Sequence, residues 1–266
     1  MAEPIFQLKD VTYRYPTGET ALEGIDLTIY EGEKVALLGA NGSGKSTLLK
    51  ILDCLLFPQK GSFTAFGRAI SEEALKDEEF SFAFRRRVGF VFQNSDAQLF
   101  NSSVWEEIAF GPVQLGLPRE EVERRVEDVM RMLGIEHLRH RPPFKLSGGE
   151  KKKVAIASVL SINPAVLLFD EPTSGLDPRT QRWLINLIRS LNAAGKTIVT
   201  ATHDLDIVDQ IADRAVVLGE DHRIAAEGSV EEVLEDLDLL LRVNLIDEEF
   251  HRHLHQDGHR HFHAHS

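Results

Sequence analysis

One cysteine, two tryptophans and three tyrosines are all that this 266-residue chain holds of those types, and each shortage excludes something. With Cys54 alone, no intrachain disulfide can form, and a four-cysteine zinc site is ruled out. No apolar run approaches the roughly 20 residues that span a bilayer, so the chain is not expected to cross a membrane by itself. Basic residues are also short, with 30 Lys and Arg against 42 Asp and Glu, a formal net charge of −12. Coating nucleic acid requires a basic face that neutralises phosphates; this balance argues against such a role, though a local basic patch is still allowed. Met1-Ala2-Glu3-Pro4 lacks the basic and then apolar layout of a secretory signal, and a cytosolic location is the expectation. The hydrophobic share of 42% and charged share of 27% are ordinary for a globular protein able to bury a full core. One domain with a helical insertion is the expected organisation.

What is present centres on Gly39-Ala40-Asn41-Gly42-Ser43-Gly44-Lys45-Ser46, which fits G-x-x-x-x-G-K-[ST] without a gap. Lys34 to Leu38 reads as a buried strand leading in, and Thr47 to Leu56 as the helix leading out, with Cys54 as a core position on that helix. Glycines let the backbone curl so that successive N–H groups point inward, the helix adds its positive end, and Lys45 adds a full charge. An ATP β/γ-phosphate is the expected guest, with the Ser46 hydroxyl offered to Mg²⁺. A glycine-rich turn without a ligand would not need strand, loop, Lys-Ser and helix to agree.

Upstream, Ile5 to Leu8, Val11 to Tyr15 and Ile25 to Ile29 alternate apolar and polar residues and read as antiparallel strands, split by the turn at Pro16-Thr17-Gly18. Tyr15 can stack on a purine or simply pack. Gly61 to Gly67 alternates like an exposed-edge strand, and 71 to 79 reads as an acidic, helix-prone surface. Val88 to Phe92 is a short apolar strand ending at Gln93, a place where α/β sheets meet ligands, although for this residue in isolation a turn-forming Gln is the favoured reading. Val122, Val126, Val129, Met130 and Leu133 make one helical stripe within the helical stretch 104–138. Ser147 is a good N-cap, and Gly148 and Gly149 leave bare N–H groups that an anion can approach; alone, this is an ordinary capped helix start. Ala165 to Phe169 is a buried strand ending in Asp170-Glu171. Beside a phosphate loop, Asp170 suits Mg²⁺ and Glu171 suits activation of water. Lys196 to Ala201 is a strand delivering His203, which can sense a γ-phosphate or merely cap. Ala215 to Leu218 and Arg223 to Glu227 read as a closing hairpin, and Val230 to Leu241 as one terminal helix with an apolar stripe.

By this point the chain resembles the ATP-binding subunit of ABC transporters over about its first 230 residues. The motifs fall in the family's order: Gly39 to Ser46, with Thr47 after it, as the phosphate loop; Gln93 as the glutamine loop; and Ser147, Gly148, Gly149 and Glu150 as the signature. After these come Asp170 and Glu171 as the acidic strand end, Asp177 in the turn beyond, and His203 as the switch histidine. Tyr15 matches the aromatic that stacks on adenine. The resemblance implies an α/β fold: a P-loop ATPase core with an N-terminal antiparallel β subdomain and a helical subdomain over about 95–165. It implies two such domains head to tail, the signature of one closing on ATP held by the other, with catalysis assigned to Glu171, His203 and Gln93 and Mg²⁺ to Ser46, Gln93 and Asp170. It also implies integral membrane subunits, contacted near Gln93, and a place on the cytoplasmic face of the membrane. Asp96-Ala97-Gln98-Leu99-Phe100 is similar to the run in energy-coupling-factor ATPases that serve vitamin and cobalt or nickel uptake. Two positions depart from the commonest pattern: Glu150 replaces Gln, and Lys153 replaces an Arg able to bond in a bidentate way.

Residues 231–250 read as a helical extension. Residues 251–266 read as a disordered tail rich in histidine: His251, His253, His255, His259, His261, His263 and His265. So dense a set of imidazoles can bind Co²⁺, Ni²⁺, Cu²⁺ or Zn²⁺, or remain a solvated tail. The leading expectation is an ATPase powering cobalt or nickel import as a homodimer. The same machine serving a vitamin or other solute, a soluble ABC ATPase acting on nucleic acid or ribosomes, and a metal store with a vestigial ATP fold are its rivals.

Overall fold

Alternation at the N-terminus builds the first sheet. β1 (Pro4–Arg14) and β2 (Thr20–Tyr30) pair antiparallel, burying Phe6, Leu8, Val11, Leu22, Ile25 and Ile29 on one side. A computed structural model describes residues 3–247. β3 (Lys34–Leu38) leads through the glycine-rich loop to α1 (Lys45–Leu52). β4 (Lys60–Ala65), β5 (Arg68–Ile70), α2 (Glu78–Arg87) and β6 (Val88–Val91) follow. Three helices come next: α3 (Val104–Gln114), α4 (Arg119–Leu133) and α5 (Gly148–Leu160). The chain then alternates through β7 (Val166–Asp170), α6 (Pro178–Ala193), β8 (Thr197–Thr202) and α7 (Val208–Ile211). It closes with β9 (Arg214–Leu218), β10 (Ile224–Ser229), α8 (Val230–Glu235) and α9 (Leu237–Arg242).

The first sheet has the order β2-β1-β4-β5 and is antiparallel; the second runs β10-β9-β3-β8-β7-β6, parallel from β9 to β6. Strands covered on both faces read as unbroken apolar runs, which is why β7 and β8 are buried at every position. α1 packs against strands of both sheets, and burying Leu48, Leu49, Ile51 and Leu52 there contributes about 1.5–3 kcal/mol per side chain. The helical stripe predicted on α4 is buried with Val104, Ile108 and Val154 of α3 and α5 and with Phe169 of β7. Gly134, at φ 66, ends α4 in the left-handed conformation that glycine adopts without strain.

Three expectations need correction. The 61–67 strand is interior, because β4 lies between β1 and β5 and buries Phe63 and Ala65; the short β5 takes the edge. The helix after the phosphate loop stops at Leu52, and Cys54 follows it in a left-handed turn at φ 58, buried as expected. The terminal helix is two helices, broken where Asp236 caps α9 by accepting from the Leu239 N–H at 2.9 Å. Among the described residues no helix is long and apolar enough to cross a membrane. The histidine-rich tail 251–266 lies outside the described residues.

Candidate nucleotide site

The loop 39–46 leaves β3 between two glycines whose space is already taken. A Cβ on Gly39 would sit 2.6 Å from the Leu218 carbonyl oxygen, and one on Gly44 would sit 2.2 Å from that of Ala21; both have positive φ, 153° and 108°. No other residue fits there. Lys45, 5% exposed, folds back over the loop and donates to the carbonyls of Gly39 at 2.7 Å and Ala40 at 3.1 Å. Burial pushes its pKa down, and the nearby Glu171 and Asp170 charges pull it back up.

The parallel register of β7 with β8 carries the acidic pair into the same space, since Asp170 pairs with Ala201 and the Glu171 N–H donates to the Ala201 carbonyl at 2.9 Å. Both carboxylates are buried, at 5% and 6% exposure, which no surface charge would be. Asp170 accepts from the Ser46 hydroxyl at 2.8 Å, and burial pushes its pKa up. Glu171 is 3.7 Å from the Lys45 ammonium. It also accepts from the Thr202 hydroxyl at 3.2 Å and meets His203 Nδ1 at 2.9 Å. Its backbone sits at φ 41, a left-handed conformation that costs a non-glycine residue about 1–3 kcal/mol. The strain aims the carboxylate at the lysine and the histidine.

A cavity of about 530 Å³ opens over this cluster, lined by Tyr15, Asn41, Gly42, Gly44, Lys45, Ser46, Thr47, Gln93 and Glu171 among others. The Tyr15 ring, held edge-on against Tyr13 with centroids 5.2 Å apart, joins its hydroxyl to Thr47 Oγ1 at 2.8 Å. An aromatic wall at one end and a lysine with two carboxylates at the other suit a nucleotide carrying several phosphates.

The turn at 147–150 opens elsewhere. A separate cavity of about 730 Å³ is lined by Ser147, Gly148, Gly149, Glu150, Asp177 and Trp183 among others, and shares no lining residue with the first. Ser147 and Glu150 cap α5 reciprocally: the Glu150 carboxylate accepts from the Ser147 N–H at 2.8 Å and from its hydroxyl at 2.9 Å. These bonds lower the Glu150 pKa. Asp177 accepts from the Thr180 hydroxyl at 2.6 Å and caps α6, which lowers its pKa as well. Lys153, where an arginine is common, lies 4.8 Å from the Trp183 ring centroid in a cation–π contact.

A family model described as ABC transporter matches residues 22–174, more than half of the chain and including both the phosphate loop and the acidic pair. The chain belongs to the ABC transporter family. A relative in Methanosarcina acetivorans, 54% identical over 94% of this chain and 91% of its own length, carries an ABC transporter ATP-binding name with no cargo stated. A nickel import ATP-binding protein, NikO, of Rhodobacter capsulatus is 50% identical over 91% of this chain and 96% of its own; other relatives carry the energy-coupling factor name. The solved structure of CbiO1 from Clostridium perfringens, described as part of the transporter complex CbiONQ, superposes with a TM-score of 0.78 at 36% identity, covering 95% of this chain and 99% of that one.

This chain is therefore an ABC ATPase that binds ATP and hydrolyses it to drive transport. The fold brings Tyr15, the loop 39–47, Gln93, Asp170, Glu171 and His203 together around one space, and holds Ser147 to Glu150 and Asp177 at another. Sequence reasoning missed His222, which lines the nucleotide cavity from the β9–β10 turn at φ 63. No motif marks it, because only the parallel pairing of β3 with β9 brings that turn beside the loop.

Proposed function

We propose that this chain is the ATP-hydrolysing subunit of an energy-coupling-factor type importer, acting as a homodimer on the cytoplasmic face of the membrane and powering cobalt or nickel ion uptake through integral membrane subunits. One observation carries the dimer: the phosphate loop with its carboxylates and the Ser147–Glu150 turn line separate cavities of one chain. Two copies arranged head to tail bring each turn to the other copy's nucleotide, so that Gly148 and Gly149 offer N–H groups to a γ-phosphate bound by the partner's loop.

Within each site, Lys45 counters the charge of the β- and γ-phosphates, and Tyr15 supports the base. Glu171 takes the proton of the attacking water while His203 holds its carboxylate in place. The oxygen donors of Ser46 and Asp170, 2.8 Å apart, fit a hard divalent cation, and with Gln93 they would hold Mg²⁺. Mg²⁺ supplies shared neutralisation of the phosphate charge. Loss of the γ-phosphate removes what binds the two copies, and the pair opens.

For the cargo, support comes from the nickel import relative, from the energy-coupling-factor run 96–100 and from the imidazole density of residues 251–266. Uptake of cobalt, nickel and a vitamin into cells carrying the full transporter, with and without residues 251–266, tests it. Metal uptake that depends on this chain is expected. Strong vitamin uptake with no dependence of metal uptake on the chain would overturn the cargo, and co-purification with ribosomes in place of membrane subunits would overturn the transport role.

A further inference from the structure

Three successive lysines open α5, and at first sight all belong to solvent; the second does not. Lys152 is 2% exposed and donates to the carbonyls of Phe92 at 3.1 Å and Gln93 at 2.9 Å. Burial pushes its pKa down to about 8, with the Asp170 charge acting in the opposite direction. A buried ammonium is costly to keep unless it is hydrogen-bonded, and here two main-chain carbonyls of one short segment accept two of its three donors.

The same face of α5 is fastened to that segment at further points. Gln98 donates to the Ala155 carbonyl at 2.9 Å and accepts from the Phe92 N–H at 3.2 Å, and Lys151 pairs with Asp96 at 2.5 Å. Lys152 differs from these in position: it is buried and it grips Gln93 itself, whose residue lines the nucleotide cavity. Ser147, which caps the same helix, is five residues back, about 7.5 Å along the axis at 1.5 Å per residue. A hydrogen-bonded helix transmits a shift over that length with little loss.

We propose that Lys152 is a positioning residue that links a chain's own nucleotide site, at Gln93, to the Ser147–Glu150 turn serving the other copy's site, so that ATP in one site tunes the other. The proposal rests on the head-to-tail reading above. A displacement of the Gln93 backbone on nucleotide binding pulls the ammonium, the ammonium moves α5, and α5 moves the turn. Coupling between sites typically amounts to a 5- to 150-fold change in affinity, about 1–3 kcal/mol.

The test uses the full chain. Wild type is expected to hydrolyse ATP with a Hill coefficient approaching about 2, the number of sites in the pair. Lys152→Met keeps the aliphatic stem and removes the donors; its Hill coefficient is expected near about 1, while affinity for a fluorescent ATP analogue at a single site changes less than about twofold. Lys152→Gln, which retains a donor, is expected to recover part of the cooperativity, and it carries the test should the Met variant fail to fold, as judged by thermal melting. Wild-type cooperativity in folded Lys152→Met overturns the role of Lys152 and leaves the dimer intact; should that variant not fold, undiminished cooperativity in Lys152→Gln, which lacks the charge and the reach of lysine, does the same. Size-exclusion chromatography of Glu171→Gln with ATP reports on the dimer itself. A monomer there, with a wild-type Hill coefficient near 1, overturns the head-to-tail reading and this proposal together; a dimer with that coefficient overturns the coupling alone.

Discussion

His203 presents Nδ1 to Glu171 Oε1 at 2.9 Å, across the ends of two neighbouring parallel strands. The proposed base and its orienting group are thereby set by sheet register and not by a flexible loop. Glu171→Gln keeps the size and the hydrogen-bonding reach but cannot take a proton. It is expected to retain ATP affinity within a few-fold while turnover falls about 100- to 10,000-fold. Equilibrium binding and steady-state phosphate release, measured side by side, check the split; turnover at the wild-type rate would remove Glu171 from the role.

Lys45→Ala is expected to fail differently. A hydrogen bond to a charged group contributes about 1.5–3 kcal/mol, so nucleotide affinity should fall about 10- to 150-fold. Isothermal titration with ATP measures this directly. A variant with intact affinity and lost turnover would show that the lysine acts on the transition state alone.

Gly44 and Gly42 make a matched pair for the loop. A methyl at Gly44 meets the Ala21 carbonyl and Leu22, whereas one at Gly42 has nothing within 4 Å; both residues have positive φ. Gly42→Ala is expected to cost about 1 kcal/mol of backbone strain, about 2–4 °C in melting temperature for a chain of this size. Gly44→Ala adds a collision with main chain and should lower it by more than twice that. Scanning calorimetry distinguishes them, and equal losses would contradict the close approach.

Asp53, at the end of α1, has its pKa lifted to about 7 by burial, with Arg85 pulling the other way. The folded protein holds a proton that the unfolded chain releases, so the stability this group contributes at low pH is lost as pH rises through about 7. Asp53→Asn removes that dependence. Its melting temperature should exceed the wild-type value more at about pH 8.5 than at about pH 5. A pH-independent difference would contradict the burial of the carboxylate.

Much of the site was legible because each motif combines a strand end with a turn, and parallel strands bring their ends to one edge. Residue spacing therefore pointed to Lys45, Asp170 and His203 although 158 positions separate the first from the last. Strand order was not legible. Alternation in Gly61 to Gly67 marks which residues face inward and carries no information about whether a short β5 will pair outside it. The break at Asp236 hides inside an unbroken apolar stripe, because a cap interrupts the hydrogen bonding of a helix without interrupting its periodicity. Nothing in the sequence marks Lys152 as buried, because only tertiary pairing supplies the two carbonyls that allow its burial.

The reciprocal cap of Ser147 and Glu150 has a bearing on the proposed pairing of two copies. The serine's amide and hydroxyl already face a resident anion, the glutamate of their own helix, so an arriving phosphate must compete with a negative charge that a glutamine would not bring. In the proposed head-to-tail pair this would set a resident negative charge against the closed state, at the residue by which the 147–150 turn differs from the commoner form.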